Sequence, residues 1–237
     1  MGFELLHQPT GMSPADFNNE DKVRSVYYPM CETAVQCATG ASAVKCFHHA
    51  IRCPAKGHKG YAGMAHCDYS CLNAFNLLSS VSPSGIDTAG FKGRICVYNI
   101  WRNINPDSPI LNHHLAMCDG SSVIAPDDFV IYDHHEAGNI AETFHMAPQN
   151  ARHHRWYYFN YMSADEALLF TQFDSNPRAK CRYTPHSSIT LNNEFLNFER
   201  ESIEVRMVAF FRQDENTLPD LTIPEALRVP GAVDKIR

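Results

Sequence analysis

The chain has 237 residues, of which 44% are hydrophobic and 19% charged, and it carries a formal net charge of -6. That length supports one sizeable core, and the composition excludes a disordered or collagen-like chain. The acidic balance argues against nucleic acid or an anionic membrane as main partner, and no apolar run reaches the roughly 18 residues of a membrane span.

A single domain over 1–237 is expected, cytoplasmic in location. Residues 1–60 would form an N-terminal wrap or lid, 61–211 the core and 212–237 a C-terminal tail. Nine cysteines, an odd number, in a chain with no signal-peptide pattern point to reduced thiols rather than a disulfide framework. No feature of the sequence specifies an oligomeric state.

In chain order, residues 1–60 mix polar segments with Cys31, Cys37, Cys46 and Cys53 and show no clear period. Leu72, Phe75, Leu78 and Val81 have the spacing of an amphipathic helix, ended by Ser82-Pro83-Ser84-Gly85. The run from Arg94 to Arg102 is rich in β-branched and aromatic residues and is closed by Asn105-Pro106-Asp107, which predicts a strand and a turn. Phe129–Tyr132 and Trp156–Phe159 read as further strands. Ser163-Ala164-Asp165-Glu166 has the spacing of a capping box, so Leu168, Leu169, Phe170 and Phe173 are expected on a short helix that stops near Asn176-Pro177. From Ser202 to Phe211, Ser202, Glu204 and Arg206 alternate with Ile203, Val205, Met207, Ala209 and Phe211, giving a strand with one polar face. Such a strand-dominated chain fits an all-β double-stranded β-helix, a jelly-roll or cupin-like barrel with a few flanking helices. There is no GxGxxG motif, P-loop or internal repeat.

The chemistry-bearing residues are His66-Cys67-Asp68, then His186, then Arg200-Glu201-Ser202. Residues two apart on a strand share a face, so His66 with Asp68, and Arg200 with Ser202, would converge in pairs while Cys67 turns away. Two imidazoles and a carboxylate suit Fe(II), holding three corners and leaving three open. The 118 residues between Asp68 and His186 bring the second histidine from a different strand. The spacing alone leaves rivals open: His153 or His154 for the third ligand, and the doublets His48-His49, His113-His114 and His134-His135 as polar contacts or metal donors. No C-x-x-C appears, which disfavours structural zinc.

The segments Asn99-Ile100-Trp101-Arg102, His154-Arg155-Trp156-Tyr157-Tyr158, Leu169–Ser175, Pro185-His186-Ser187 and Arg200–Arg206 resemble the hydroxylase/desaturase family of fungal and bacterial secondary metabolism, which includes AsaB- and CmcJ-like proteins. The likeness covers about residues 60–211, and the cysteine-rich N-terminus matches nothing in it. The resemblance implies a double-stranded β-helix and a non-haem Fe(II) oxygenase, commonly 2-oxoglutarate-dependent, acting with O₂ on a small molecule. It makes His66, Asp68 and His186 the iron ligands, Arg200 the partner of the co-substrate's far carboxylate, and Ser202 a hydrogen-bond donor beside it.

Asn99, if inward-facing, would bond the co-substrate or a ligand carboxylate. Trp101, Arg102, Tyr158 and Arg206 are candidates for the substrate pocket. The expected reaction is oxidation of an unactivated C–H bond in a small carboxylated or amino-acid-derived metabolite, by hydroxylation, desaturation or ring closure. The alternatives are a zinc-dependent hydrolase or lyase on the same barrel and an iron oxidase that does not use 2-oxoglutarate.

Overall fold

A computed structural model describes residues 1–212 apart from 82, 84, 85, 89, 90, 137, 138, 192 and 193; the side chains of 134–136 and 139–141 are likewise outside the description. The tail expected over 212–237 therefore lies outside the described residues except for Arg212.

Among the described residues, eleven strands form two antiparallel sheets. They are β1 (Phe3–His7), β2 (Ala43–Arg52), β3 (His66–Cys67), β4 (Arg94–Asn103), β5 (His114–Cys118), β6 (Phe129–Glu136), β7 (Asn139–Met146), β8 (Trp156–Tyr157), β9 (Glu166–Asp174), β10 (His186–Ile189) and β11 (Ser202–Phe211). One sheet has the order β1-β9-β4-β11-β2 and the other β6-β7-β3-β10-β5-β8. Apart from the β6–β7 hairpin, neighbours in each sheet are not consecutive in sequence, as a double-stranded β-helix requires.

Strand alternation sets what each face of the five-stranded sheet meets. Ile203, Val205, Met207 and Ala209 of β11, with Cys96, Tyr98 and Ile100 of β4, face outward into a core shared with the N-terminal helices. Val208 and Phe210, with Ile95 and Val97, face the second sheet and pack with Phe129 and Phe144. Trp101, Leu168 and Phe170 meet Leu115 and Met117 beside them. Because both faces are covered, β4 and β11 are buried along almost their whole length.

Residues 1–60 do more than wrap or cover the barrel. They supply β1 and β2, the two edge strands of the five-stranded sheet, and the helices α1 (Pro14–Phe17), α2 (Glu20–Lys22) and α3 (Tyr28–Thr39) on its outer face. Tyr28, Cys31 and Val35 put one stripe of α3 into the outer core, and Gly40 ends the helix with a φ of 72°, a left-handed conformation that glycine adopts without side-chain strain. The helix expected after His66 is present as α4 (Cys71–Asn76) with a 3₁₀ turn over Leu77–Ser79; Ser82, Ser84 and Gly85, read as its stop, are outside the described residues.

The helix expected after Ser163 is instead strand β9. Ser163 and Glu166 do make cap-like contacts, with the Ser163 backbone N–H donating to Glu166 Oε2 at 2.8 Å and its hydroxyl at 3.1 Å. They close a turn that leads into a strand hydrogen-bonded between β1 and β4. A strand buried on both faces reads as a continuous apolar run, which short helices also show, so periodicity does not separate the two. Trp156–Tyr157 pairs with β5 as a strand of only two residues, shorter than the four-residue run expected.

Candidate active site

Tertiary pairing assembles the site. β10 lies between β3 and β5, so His186 is placed directly opposite His66. Their ring centroids are 4.5 Å apart. Asp68, just beyond β3, turns its carboxylate to the same place, and one ligand-type atom from each of His66, Asp68 and His186 lies within 4.8 Å of the others. Cys67 goes into the apolar core, as alternation requires.

Each member is held by neighbours. His66 Nδ1 is 2.7 Å from the Met64 carbonyl, which can only accept, so Nδ1 carries the proton. The lone pair on Nε2 then faces Asp68 Oδ1 at 3.4 Å. Asp68 Oδ2 accepts from Asn99 at 2.7 Å, and Oδ1 is 3.1 Å from the Arg206 guanidinium, which also bonds Glu204 at 3.0 Å. Gln172, fully buried on β9, takes the Asp68 backbone N–H at 2.8 Å and sets its amide nitrogen 3.3 Å from His186 Nδ1.

The electrostatics follow from burial opposed by these charges. Desolvation would raise the Asp68 pKa, but Arg206 and His66 outweigh it and hold the carboxyl well below the usual carboxylate range. Burial pushes the His186 imidazole down to about 4, so it is neutral. For His66 burial is outweighed by Asp68, which raises it.

Beside this trio lies a cavity of about 20 Å³ lined by Trp101, Leu115, Ser188, Arg200, Glu204 and Arg52, among others. Arg200 is buried, and among the described residues no carboxylate pairs with it. Its Nη1 donates to the His113 carbonyl and to Ser188 Oγ at 3.3 Å, whereas Nε has no partner. The Ser202 hydroxyl and Asn99 Oδ1 are also buried without partners. Burial lowers the Arg200 guanidinium to about 9, a measure of how little surrounds it that favours its charge. Native structures rarely leave such groups unpaired, so the Arg200 Nε and Ser202 hydroxyl donors mark a place for an acceptor, whereas Asn99 Oδ1 can only accept.

His66, Asp68, His186, Arg200 and Trp101 thus come together from among the residues singled out in the sequence. Asn99 and Arg206 are there too, although both engage Asp68 rather than standing free for a co-substrate or substrate. Arg102 does not belong. It follows Trp101 on a strand, so it faces the opposite side, where it bonds Tyr27, Gln8 and Ala164. Tyr158 is also away from the cavity, 41% exposed beyond the edge strand β8, with its ring tilted against His114 at 4.8 Å. His154, the rival ligand, is 3.0 Å from Asp128.

Sequence reading missed Gln172, Glu204 and Tyr61. Gln172 sits in a motif segment and Glu204 on the polar face of β11, so both left a signal. Tyr61 lies in a loop and left none.

The comparisons agree with this geometry. A family model described as "Oxidoreductase/YMDC permease-like domain" matches residues 1–210. The chain is 27% identical over 221 residues to the alpha-ketoglutarate-dependent dioxygenase tstK of Talaromyces stipitatus, covering 89% of this chain and 78% of that protein. It is 26% identical over 242 residues to the hydroxylase/desaturase efuI of Hormonema carpetanum, covering 90% and 78%. The solved structure of the iron and alpha-ketoglutarate-dependent endoperoxidase NvfI superposes with a TM-score of 0.77 at 24% identity, over 90% of this chain and 79% of that one, which shows the shared fold. The chain belongs to this oxidoreductase family, whose fungal members among its relatives are dioxygenases and hydroxylase/desaturases.

Proposed function

We propose that the protein is a non-haem Fe(II), 2-oxoglutarate-dependent oxygenase of secondary metabolism. In this reading His66, Asp68 and His186 hold the metal, and Arg200 with Ser202 receives the far carboxylate of the co-substrate. The observation that carries it is a buried two-histidine, one-carboxylate set beside a buried arginine that lacks a carboxylate. The donor set fits iron in hardness and number, and the orphaned Arg200 Nε and Ser202 hydroxyl fit a carboxylate.

Iron with 2-oxoglutarate supplies the oxidising power of O₂ for attack on an unactivated C–H bond. The chain's own residues do the orienting. Asn99 and Arg206 keep the Asp68 carboxylate ionised and pointed at the two imidazoles. The Met64 carbonyl keeps the His66 proton on the far nitrogen, leaving Nε2 free to ligate. Trp101 and Leu115 supply the larger apolar side chains of a cavity otherwise lined mainly by polar groups. None of them needs to act as acid or base.

The substrate is a small molecule, a carboxylated or amino-acid-derived metabolite in this reading, taken with O₂ and without nucleic acid or membrane. Among the described residues no helix is long and apolar enough to cross a membrane. The test is stoichiometry. With Fe(II) restored anaerobically and O₂ then admitted, succinate should form in equal amount with product. Product without succinate removes 2-oxoglutarate from the reaction, and activity with zinc in the absence of O₂ removes the oxygenase.

A further inference from the structure

The loop between the 3₁₀ turn Pro54–Lys56 and β3 contributes Ala62 to the lining of the cavity beside Arg200 and is tied at several points. The Ala62 carbonyl accepts the Ser188 backbone N–H at 2.7 Å, and the Gly60 carbonyl accepts from the Arg52 guanidinium. Between them stands Tyr61. Its ring lies over the Arg200 guanidinium at 4.4 Å, on which Trp101 also bears at 5.3 Å. Its hydroxyl accepts the Arg200 backbone N–H at 2.9 Å and lies 3.0 Å from the Arg200 carbonyl and 3.2 Å from Glu199 Oε2, to one of which it donates. The same ring leans on His113 at 4.5 Å, whose carbonyl takes Arg200 Nη1.

We infer that Tyr61 is the positioning residue of the carboxylate pocket, holding the Arg200 guanidinium by its π face in the orientation that receives a dicarboxylate. A buried guanidinium with no carboxylate needs other stabilisation, and two aromatic faces supply it without consuming the donors a ligand must use. With two rings, the His113 carbonyl and the Ser188 hydroxyl holding the guanidinium, the unpartnered Nε stays available. The flexible side chain then loses little freedom when the anion arrives, which is where pre-organisation adds affinity.

This inference rests on the reading of Arg200 as a carboxylate clamp, and the test separates the two. Tyr61→Leu keeps bulk and removes the π face; Tyr61→Phe keeps the face and removes the hydroxyl. Calorimetry follows 2-oxoglutarate binding to the anaerobic Fe(II) protein and glutarate binding to the metal-free protein, with Fe(II) affinity measured alongside. Tyr61→Leu should weaken both dicarboxylates roughly tenfold, and Tyr61→Phe about threefold or less, with Fe(II) affinity held within about twofold.

Wild-type affinity for glutarate in Tyr61→Leu overturns the inference. So does parallel loss of Fe(II) and dicarboxylate binding, which would mean a general structural role. A wild type that makes product without consuming 2-oxoglutarate, yet binds glutarate in a Tyr61-dependent way, overturns the clamp's assigned co-substrate and upholds the role of Tyr61.

Discussion

The two faces of the five-stranded sheet each bury an arginine, and the two are dealt with in opposite ways. Arg102, on the outer face, donates from Nε to the Tyr27 hydroxyl at 2.8 Å and from Nη1 to the Gln8 and Ala164 carbonyls at 2.8 and 3.3 Å, while Nη2 meets Gln8 Oε1. Arg200, at the inner site, has a carbonyl, a hydroxyl and two aromatic faces, and its buried Nε is left without a partner. Both are almost wholly enclosed. Burial of a charge therefore says little about function, whereas the balance of donors against acceptors says a good deal. A saturated arginine is a structural tie, and an unsaturated one is prepared for a ligand.

That contrast is open to attack from both sides. The largest effect should come from the site that the inner face meets: His186→Ala should abolish stoichiometric Fe(II) binding and turnover together, as read by metal analysis and oxygen uptake. Retention of a full equivalent of iron would remove His186 from the ligand set. Next, Arg200→Leu should cost about 2–5 kcal/mol of 2-oxoglutarate binding while leaving thermal stability equal or higher, because a buried unpaired charge is removed. A calorimetric titration with an unchanged Kd would make the two arginines alike and dissolve the comparison.

On the outer face the signs reverse. Arg102→Leu leaves the Gln8 and Ala164 carbonyls without their donor, so denaturant unfolding should show a loss of about 2–4 kcal/mol. Its affinity for 2-oxoglutarate should match the wild type, and a selective loss of that affinity would return Arg102 to the site.

The smallest effect is on pH dependence. Burial lowers His48, His49, His113 and His114 below the ordinary histidine value of 6.5. Below that value the unfolded chain binds protons that the folded chain does not, so stability is full above pH 6.5 and declines as the pH falls beneath it. Melting temperatures of the metal-free protein between pH 8 and pH 5 should drop only in the lower part of the range; a flat curve would mean these imidazoles titrate normally.

Much of the site was legible because period-two alternation is a local rule. It placed His66 with Asp68, turned Cys67 away and assigned Ser202, Glu204 and Arg206 to one face of β11. The same rule, applied to Trp101 and Arg102, would have separated two residues that were both proposed for the pocket. The segment after Ser163 shows where local rules stop: its apolar run is compatible with either element, and pairing with β1 and β4 decided for the strand. Residues 1–60 concealed two strands for a related reason. β2 is an edge strand with intermediate burial over much of its length, so it lacks a strong alternating signal.

From the sequence alone came the donor types, their pairwise faces and the strand-rich class, because residue chemistry and side-chain period are carried by neighbours along the chain. Only the tertiary structure decided that His186 stands opposite His66, that Asn99, Arg206 and Gln172 hold the ligand set, and that Arg200 Nε is left without an acceptor beneath Tyr61. These depend on strand order, cross-sheet distance and a full count of hydrogen-bond partners. Residues more than a hundred positions apart settle such quantities jointly, so no local pattern contains them.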